Sequence, residues 1–209
     1  AIAAGIQGGV PADELIEMLD GSLALGWSPR EAWAIEDVDP LALRGVASDA
    51  TMLGDRRIAT DLLGRLVESR PEDAIALNNL GYGLLTLGDL VGAADALERS
   101  YELDPTNPST LDSLGWLRYA QGRHDKDDPD GALSLILRSV DRRVRSGITP
   151  SPEVMIHVGD ASWRAGLQDD AIAAWRSVVE LGARRDPGQR ARVLQRYQDS
   201  IWGTVLVPV

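Results

Sequence analysis

The chain repeats one short pattern at a distance of 34 residues. The segment MLGDRRIATDLLGRLVESRP ends at Pro71, and the segment TLGDLVGAADALERSYELDP ends at Pro105. Both contain Leu-Gly-Asp, an alanine five residues after the glycine, and a terminal proline. Self-similarity at a fixed period of this length is typical of folds built from stacked units, each of which buries its apolar face against the next. The period therefore predicts a repeat architecture.

Three aligned columns of small residues extend the period through most of the chain. The turn glycines are spaced by 34, 34 and 44 residues, and a second column with the same spacings lies seven residues before them. The columns are Gly54, Gly88, Gly122 and Gly166; Ala47, Gly81, Gly115 and Gly159; and Ala59, Ala93, Ala132 and Ala171. The third unit carries two five-residue insertions, one on each side of Ala132.

Each column has a structural reason. A glycine in the left-handed conformation ends a helix, and an aspartate after it, such as Asp55 or Asp89, can cap the next helix. Small residues on both sides of the turn let the two helices approach closely. Proline ends the second helix because it cannot continue one. Recurring apolar residues predict the core: Leu43, Val46, Leu77, Leu80, Leu111, Leu114, Met155 and Val158 on first helices, and Leu63, Leu97, Ile136 and Trp175 on second helices.

A 34-residue helix-turn-helix unit with these columns resembles the tetratricopeptide repeat (TPR) family, from about Pro40 to Gly182. The resemblance implies an all-α fold, a right-handed superhelix of antiparallel helix pairs with terminal capping helices. The implied repeat domain is 39–183, with repeats at about 40–73, 74–107, 108–151 and 152–183, and the capping segments are 1–38 and 184–209. The third and fourth repeats lack the terminal proline, so the sequence leaves their helix ends open.

The composition excludes several classes of function. The chain has no cysteine, which rules out disulfides, thiolate catalysis and cysteine-based zinc sites. The two histidines, His124 and His157, lie in different repeats without metal-ligand spacing, and no common catalytic or nucleotide-binding motif occurs. No apolar run approaches the roughly 18 residues that a membrane span needs. We therefore expect no enzyme, no cofactor and no resident metal, and we interpret His157 as a hydrogen-bonded structural residue.

Two charged segments suggest further binding sites. The insertion HDKDDPDG resembles a calcium loop, but setting its glycine at the required position puts Lys126 and Leu137 where oxygen ligands are needed, so a solvated acidic turn is favoured. Between Arg138 and Arg196 the chain has eleven basic and seven acidic residues, although its net charge is -11. A solvated outer surface explains these arginines, and a weak anion or nucleic-acid contact is the alternative.

The resemblance implies a function as a scaffold for protein–protein interaction. In TPR stacks the first helices line a concave groove, and the family's groove positions fall here on Arg44, Asn78, Tyr82, Asp112, Trp116, Tyr119, Asp160, Trp163 and Arg164. We expect a peptide or protein segment with apolar anchors to bind there, since aromatic residues often dominate interface energy. A C-terminal carboxylate is disfavoured, because Asn78, Asp112 and Asp160 stand where carboxylate-binding TPRs need Lys or Arg.

Two questions remain open at this level. Trp116 and Trp163 could instead pack between repeats, and the stack could serve as an assembly module of a larger polypeptide or oligomer. The sequence leaves the oligomeric state undecided. The absence of cysteine and the resemblance to TPR segments of exported bacterial proteins favour the bacterial cell envelope, as a periplasmic protein, over the cytoplasm.

Overall fold

A computed structural model of the chain describes residues 56–182, together with Glu14, Glu17, Arg44, Ala47 and Gln195. Residues 56–182 form helices and turns without a β-strand, which confirms the predicted all-α fold. The helices are α1 (Arg56–Ser69), α2 (Ala74–Thr86), α3 (Leu90–Leu103), α4 (Pro108–Ala120), α5 (Ala132–Arg145), α6 (Pro152–Arg164) and α7 (Gln168–Gly182). None of these seven helices has both the length and the apolar character that a membrane span requires.

The chain divides into two compact units, Ala1–Leu103 and Asp104–Val209. In the first unit, α2 packs against both α1 and α3. In the second unit, α4 packs against α5 and α6 against α7, and α6 also contacts α4 and α5. The predicted capping segments fall outside the described residues, apart from Glu14, Glu17 and Gln195, and the superhelical hand and the repeat boundaries stay predictions.

The turns inside the helix pairs have the predicted geometry. Gly88, Gly122 and Gly166 have φ angles of 87°, 79° and 80°, in the left-handed region that favours glycine. Asp89 then caps α3, because its Oδ1 accepts a hydrogen bond from the backbone N–H of Gly92 at 2.9 Å. Gly54 and Asp55, the first members of these columns, lie outside the described residues.

Polar side chains cap the first helices, which the columns alone do not predict. Asp73 accepts from the Ala76 N–H at 3.0 Å at the start of α2, and Asn107 accepts from the Ser109 N–H at 2.9 Å at the start of α4. Ser151 caps α6 in the same way. Pro108 and Pro152 occupy the first positions of α4 and α6, where a missing N–H costs nothing.

The second helices end in two different ways. Pro71 and Pro105 follow the ends of α1 and α3, as predicted. No proline directly follows the end of α5, and Gly147 ends this helix instead, with a φ of 72°. The N–H of Gly147 donates to the Val144 carbonyl at 3.0 Å, and the N–H of Ile148 donates to the Arg143 carbonyl at 2.8 Å. A left-handed glycine with this pair of bonds satisfies the last carbonyls of a helix without a proline.

The small-residue columns mark the closest approach of each helix pair. A Cβ atom added at Gly81 would lie 2.5 Å from Leu97 Cγ, and one added at Gly115 would lie 2.7 Å from Ile136 Cγ1. At Gly159 it would lie 2.1 Å from Trp175 Nε1. Contacts this short are not tolerated, so each first helix needs a glycine where the large side chain of the second helix crosses it.

Buried serines add a polar link between helices that the sequence analysis missed. Ser100 on α3 donates its hydroxyl to the Ala74 carbonyl at 2.7 Å, and Ser139 on α5 donates to the Pro108 carbonyl at 2.5 Å. Both hydroxyls are buried, and each carbonyl belongs to the first residue of the preceding first helix. The start of the first helix is therefore fixed to the C-terminal half of the second, and both buried polar groups are satisfied.

We predict that Gly115→Ala destabilises the protein by about 1–3 kcal/mol, because the added methyl group would meet Ile136 and the Ala132 carbonyl and force α4 and α5 apart. Gly64→Ala is the matched control, since Gly64 is also helical but has no neighbouring atom within 4 Å of an added Cβ. That control should stabilise the protein by about 0.5–1 kcal/mol. Urea unfolding followed by circular dichroism measures both changes, and equal effects would contradict the close approach.

Candidate functional site

The nine predicted groove residues belong to two separate groups. Arg44, Asn78 and Tyr82 lie in the first compact unit. The other six lie in the second unit, on α4 and α6, and are Asp112, Trp116, Tyr119, Asp160, Trp163 and Arg164. Since α4 and α6 contact each other, the second unit holds the larger continuous part of the candidate site.

In the first unit, the predicted residues are tied to the start and middle of α2. Arg44 forms an ion pair with Oδ2 of Asp73, whose other oxygen caps α2. Asn78 is buried and its Nδ2 donates to Asn79 Oδ1 at 3.1 Å, whereas Tyr82 is half-buried. Arg44 therefore stabilises the beginning of a helix, and Tyr82 is the partly accessible aromatic residue of this group.

In the second unit, Trp116 lies among aromatic rings. Its ring stacks on Tyr119 with a centroid distance of 4.5 Å and an interplanar angle of 9°, and on His157 at 4.2 Å and 13°. His124 meets Tyr119 edge-on at 5.0 Å. We call Trp116, Tyr119, His124 and His157 the ring cluster. Tyr119 and His157 are buried and Trp116 and His124 are half-buried, so the cluster holds the partly exposed indole of Trp116 in a fixed orientation.

A buried pair of polar side chains supports the ring cluster. His157 Nδ1 lies 3.1 Å and 3.2 Å from the two carboxylate oxygens of Asp112. An ionised carboxylate only accepts hydrogen bonds, so the Nδ1–H of His157 donates to it. Asp112 precedes Trp116 by one helical turn on α4, and His157 lies on α6. The pair thus fixes the histidine ring over Trp116, in agreement with the prediction of a hydrogen-bonded structural histidine.

Asp160 and Trp163 are held by α7. Asp160 is 0% exposed, and its Oδ1 accepts a hydrogen bond from the indole N–H of Trp175 at 3.1 Å. Trp163 is half-buried against the Trp175 ring, with a centroid distance of 5.8 Å. Trp163 and Trp116 also pack on one apolar cluster that includes Ile136, so a common core supports both indoles.

The placement of Asp112 and Asp160 differs from the expected groove-facing position. Both carboxylates are buried and used within the fold, by His157 and by Trp175. The physical reason is that a buried carboxylate without a partner is very costly, and these two find their partners on neighbouring helices, α6 and α7. Among the charged groove residues predicted on α4 and α6, Arg164 is the exposed one.

Arg164 also affects His124. Burial, followed by the positive charge of Arg164, lowers the pKa of His124 below its ordinary value. The imidazole is therefore neutral at pH 7 and packs as an uncharged ring against Tyr119.

The sequence analysis missed both histidines as parts of the site. Asp112 and His157 are 45 residues apart in the chain. The repeat alignment does contain a usable signal: Asp112 lies three residues before Gly115, and His157 two residues before Gly159. Adjacent repeats therefore bring the two residues to nearly the same level on neighbouring first helices.

The acidic insertion is ordered by its own bonds. Arg123 Nη2 lies 2.6 Å from Asp128 Oδ2, and the N–H groups of Asp127 and Asp130 donate to the side chains of Asp125 and Asp128. Among the residues described, no group of three or more acidic or histidine side chains is arranged to hold a metal ion. The carboxylates of this turn stabilise its backbone instead.

The arginines near the end of α5 also make local contacts. Arg145 pairs with Asp141 at 2.8 Å, and Arg143 Nη2 donates to Ser109 Oγ at 3.2 Å. Arg142 and Arg145 are exposed, and Arg143 is half-buried. Their position in the last turn of the helix suits the negative end of the helix dipole, which agrees with the solvated surface that the sequence predicts.

We predict that His157→Ala destabilises the protein by about 2–4 kcal/mol, because it leaves the Asp112 carboxylate buried without its partner. The double variant Asp112→Ala/His157→Ala should lose less than the two single variants together, with a coupling energy of about 1–3 kcal/mol. Urea unfolding of the four proteins gives this energy. Additive losses would contradict the bond between Asp112 and His157.

We also predict a measurable effect of Arg123 on Asp128. The hydrogen bond from Arg123, helped by the Asp130 N–H, holds the pKa of Asp128 below its ordinary value. Arg123→Met should raise this pKa, and Arg118→Met, which removes only a weaker and more distant charge, should raise it less. Carboxyl carbon shifts followed by NMR during a pH titration report both values. An unchanged pKa in Arg123→Met would show that the contact does not form in solution.

Comparisons with known proteins agree with this geometry. A sequence model of the tetratricopeptide repeat matches residues 47–108, which include α1, α2 and α3. No curated protein sequence matches the chain. Proteins with this repeat generally mediate protein–protein interaction or assembly, and their fold is typically a non-enzymatic scaffold.

Several solved structures are similar over most of the chain. TTC0263, a thermophilic TPR protein of Thermus thermophilus, is 18% identical, with a TM-score of 0.60 over 97% of this chain and 100% of that one. The MamA protein is 17% identical, with a TM-score of 0.52 over 96% of this chain and 100% of that one. The Cut9–Hcn1 structure of the APC/C is 18% identical, with a TM-score of 0.62 over 88% of this chain and 34% of that one.

At these identities the structural likeness shows a common fold and no more. Residues 47–108 match the tetratricopeptide repeat, and the helix pairs through α7 have the fold that is also seen in solved TPR proteins.

Proposed function

We propose that this protein is an interaction scaffold that binds an extended or helical segment of another protein through the second unit. The proposed contact surface is the α4–α6 face, which we define by Trp116, Trp163 and Arg164. The observation that carries the proposal is the ring cluster, in which a half-buried Trp116 is stacked on Tyr119 and His157.

A fixed aromatic ring suits binding better than a mobile one. Association costs free energy for each side chain that becomes immobilised, so a side chain that is already held loses less on binding. Trp116 is held by two stacked rings, and Trp163 is held against Trp175. Both indoles also pack on the same apolar cluster. Tryptophan is among the residues that contribute most to interfaces when a partner covers it.

The chemistry of the face indicates the chemistry of the segment. The two indoles favour apolar anchor residues on the partner. The exposed charge beside them is positive, because Arg164 lies on the surface while Asp112 and Asp160 are buried. We therefore propose a segment with apolar anchors and an acidic side chain placed next to Arg164.

The other candidate functions receive less support from the contacts. A nucleic-acid contact through α5 would need arginines that reach freely toward phosphates. Arg143 is instead half-buried and donates to Ser109 Oγ. The net charge of -11 also opposes the approach of a polyanion. A role in assembly with other protein chains is compatible with the fold and would use a surface other than the α4–α6 face.

A selection from random 12-residue peptides displayed on phage tests the proposal. We expect enriched peptides to contain apolar anchors and at least one acidic residue. Trp116→Ala and Trp163→Ala should each weaken binding of a selected peptide by about 2 kcal/mol, or about 30-fold, when measured by calorimetry. Each variant is first checked by circular dichroism, because both indoles also pack on the core.

Two controls separate the surface from a general effect on folding. Trp116→Phe should keep most of the affinity, since it retains an aromatic anchor. Arg142→Ala lies on the outer side of α5 and should leave the affinity unchanged. If folded Trp116→Ala and Trp163→Ala bind the selected peptides as tightly as the original protein, the α4–α6 face is not the binding site.

A further inference from the structure

The outer faces of α3 and α5 carry opposite charges. On α3, the exposed side chains Asp95, Glu98 and Glu102 follow one another at intervals of three or four residues. Residues at these intervals lie on one face of a helix, so they form a continuous acidic row. On α5, Arg138, Arg142 and Arg145 have the same spacing and form a basic row, with the latter two exposed. Each helix therefore presents mainly one sign of charge to solvent, and the opposite sign is present at Arg99 on α3 and at Asp141 on α5.

Apolar side chains accompany both rows. Val91, one turn before Asp95 on α3, is 83% exposed. On α5, Leu137 and Val144 are 46% and 60% exposed and lie beside the arginines. A shallow cleft of about 500 Å³ opens next to the basic row, and its lining contains three leucines, Ser134 and two residues of each charge. The leucines are Leu133, Leu137 and Leu167, and the charged residues are Lys126, Asp127, Arg138 and Asp141. The cleft is large enough to take an aliphatic side chain such as that of Val91.

We propose that the protein binds a second copy of itself, with α3 of one copy packed against α5 of the other. In this contact the acidic row faces the basic row, and Val91 enters the cleft beside Leu137. Each chain carries both faces, so every copy supplies both halves of the contact. This surface is distinct from the α4–α6 face and does not use its tryptophans.

Charge complementarity favours a second copy over other partners. A nucleic acid or an anionic membrane would meet the basic row of α5 but would leave the acidic row of α3 unmatched, whereas a second copy matches both rows. Every anionic partner faces the same net charge of -11, and at about 0.15 M salt charges more than about 8 Å apart are largely screened. The rows in contact are closer than that and keep their attraction.

The ion pairs already present within the helices do not prevent the contact. Asp95 lies 3.3 Å from Arg99, and Asp141 lies 2.8 Å from Arg145. Both are exposed pairs one helical turn apart, and pairs of this kind are weak. Their side chains can rearrange when a row of opposite charge approaches.

A charge exchange between two variants tests the proposal. Sedimentation velocity at about 0.15 M salt should show association of the original protein at concentrations up to about 100 μM, the range of a weak specific contact. Glu98→Lys/Glu102→Lys makes both rows basic, and Arg142→Glu/Arg145→Glu makes both acidic. For each variant alone, we expect association to be weaker by about tenfold or more, because like charges then face each other. An equimolar mixture of the two should restore association, since complementary rows meet again.

Matched controls separate the rows from net charge. Glu68→Lys/Glu72→Lys and Arg57→Glu/Arg70→Glu change the charge by the same amounts at exposed positions outside α3 and α5. Each control should associate like the original protein. Val91→Asp should weaken association by about tenfold or more, because it puts a charge against the leucines that line the cleft. Trp116→Ala should leave association unchanged, so this test is independent of the proposed peptide site.

Three results would overturn the proposal. The first is a protein that remains monomeric throughout this concentration range. The second is a mixture of the charge-exchanged variants that associates no more than each variant alone. The third is a monomeric protein that binds vesicles of phosphatidylserine and phosphatidylcholine in a manner abolished by Arg142→Glu/Arg145→Glu, which would assign the basic row to a membrane surface.

Discussion

The close approach of a glycine on one helix to a large side chain on its partner is the contact on which the rest of the structure depends. Gly81 meets Leu97, Gly115 meets Ile136, and Gly159 meets Trp175. The large residues are fully buried, so each pair gains apolar burial at the point where its two helices cross. The same crossing fixes the rotation of the first helix about its axis. That rotation decides which of its side chains face the core and which remain accessible.

The candidate site is a consequence of this rotation. With α4 fixed on α5 and α6 fixed on α7, the contact between α4 and α6 brings His157 onto Trp116 and Asp112. The large indole of Trp175 does two things at once, because it fills the space opposite Gly159 and gives Asp160 a hydrogen-bond donor. The polar residues of this region therefore keep the aromatic side chains in place. A surface built in this way is stiff, and stiffness is what a recognition surface needs in order to bind at low entropic cost.

Much of the fold could be predicted from the sequence, because the repeat shows the same physical requirement several times. The left-handed turns at Gly88, Gly122 and Gly166 are confirmed, since no other residue fits them as readily. The repeat pattern predicts the face of the helix on which a residue lies, but not the groups that the end of its side chain contacts. The buried pairs of the site could therefore not be predicted. Asp160 and Trp163 both lie on α6 and differ in exposure for this reason. The shorter Asp160 side chain is enclosed by α7, whereas the longer Trp163 side chain is half-buried. The end of α5 at Gly147 escaped prediction because proline is only one of two ways to stop a helix.

The connection between α4 and α5, residues 121–131, is longer than the other turns and carries its own bonds, including the one between Arg123 and Asp128. The residues that align these two helices, Gly115 and Ile136, lie within the helices and not in the connection. The alignment therefore does not depend on the length of the connection. Residues can be inserted or substituted in the connection while the helices keep their positions, since closing a longer loop costs little extra free energy. For the experimenter, this independence makes the exposed tip near Lys126 a suitable place to attach a fluorescent label that reports on the protein without disturbing its core.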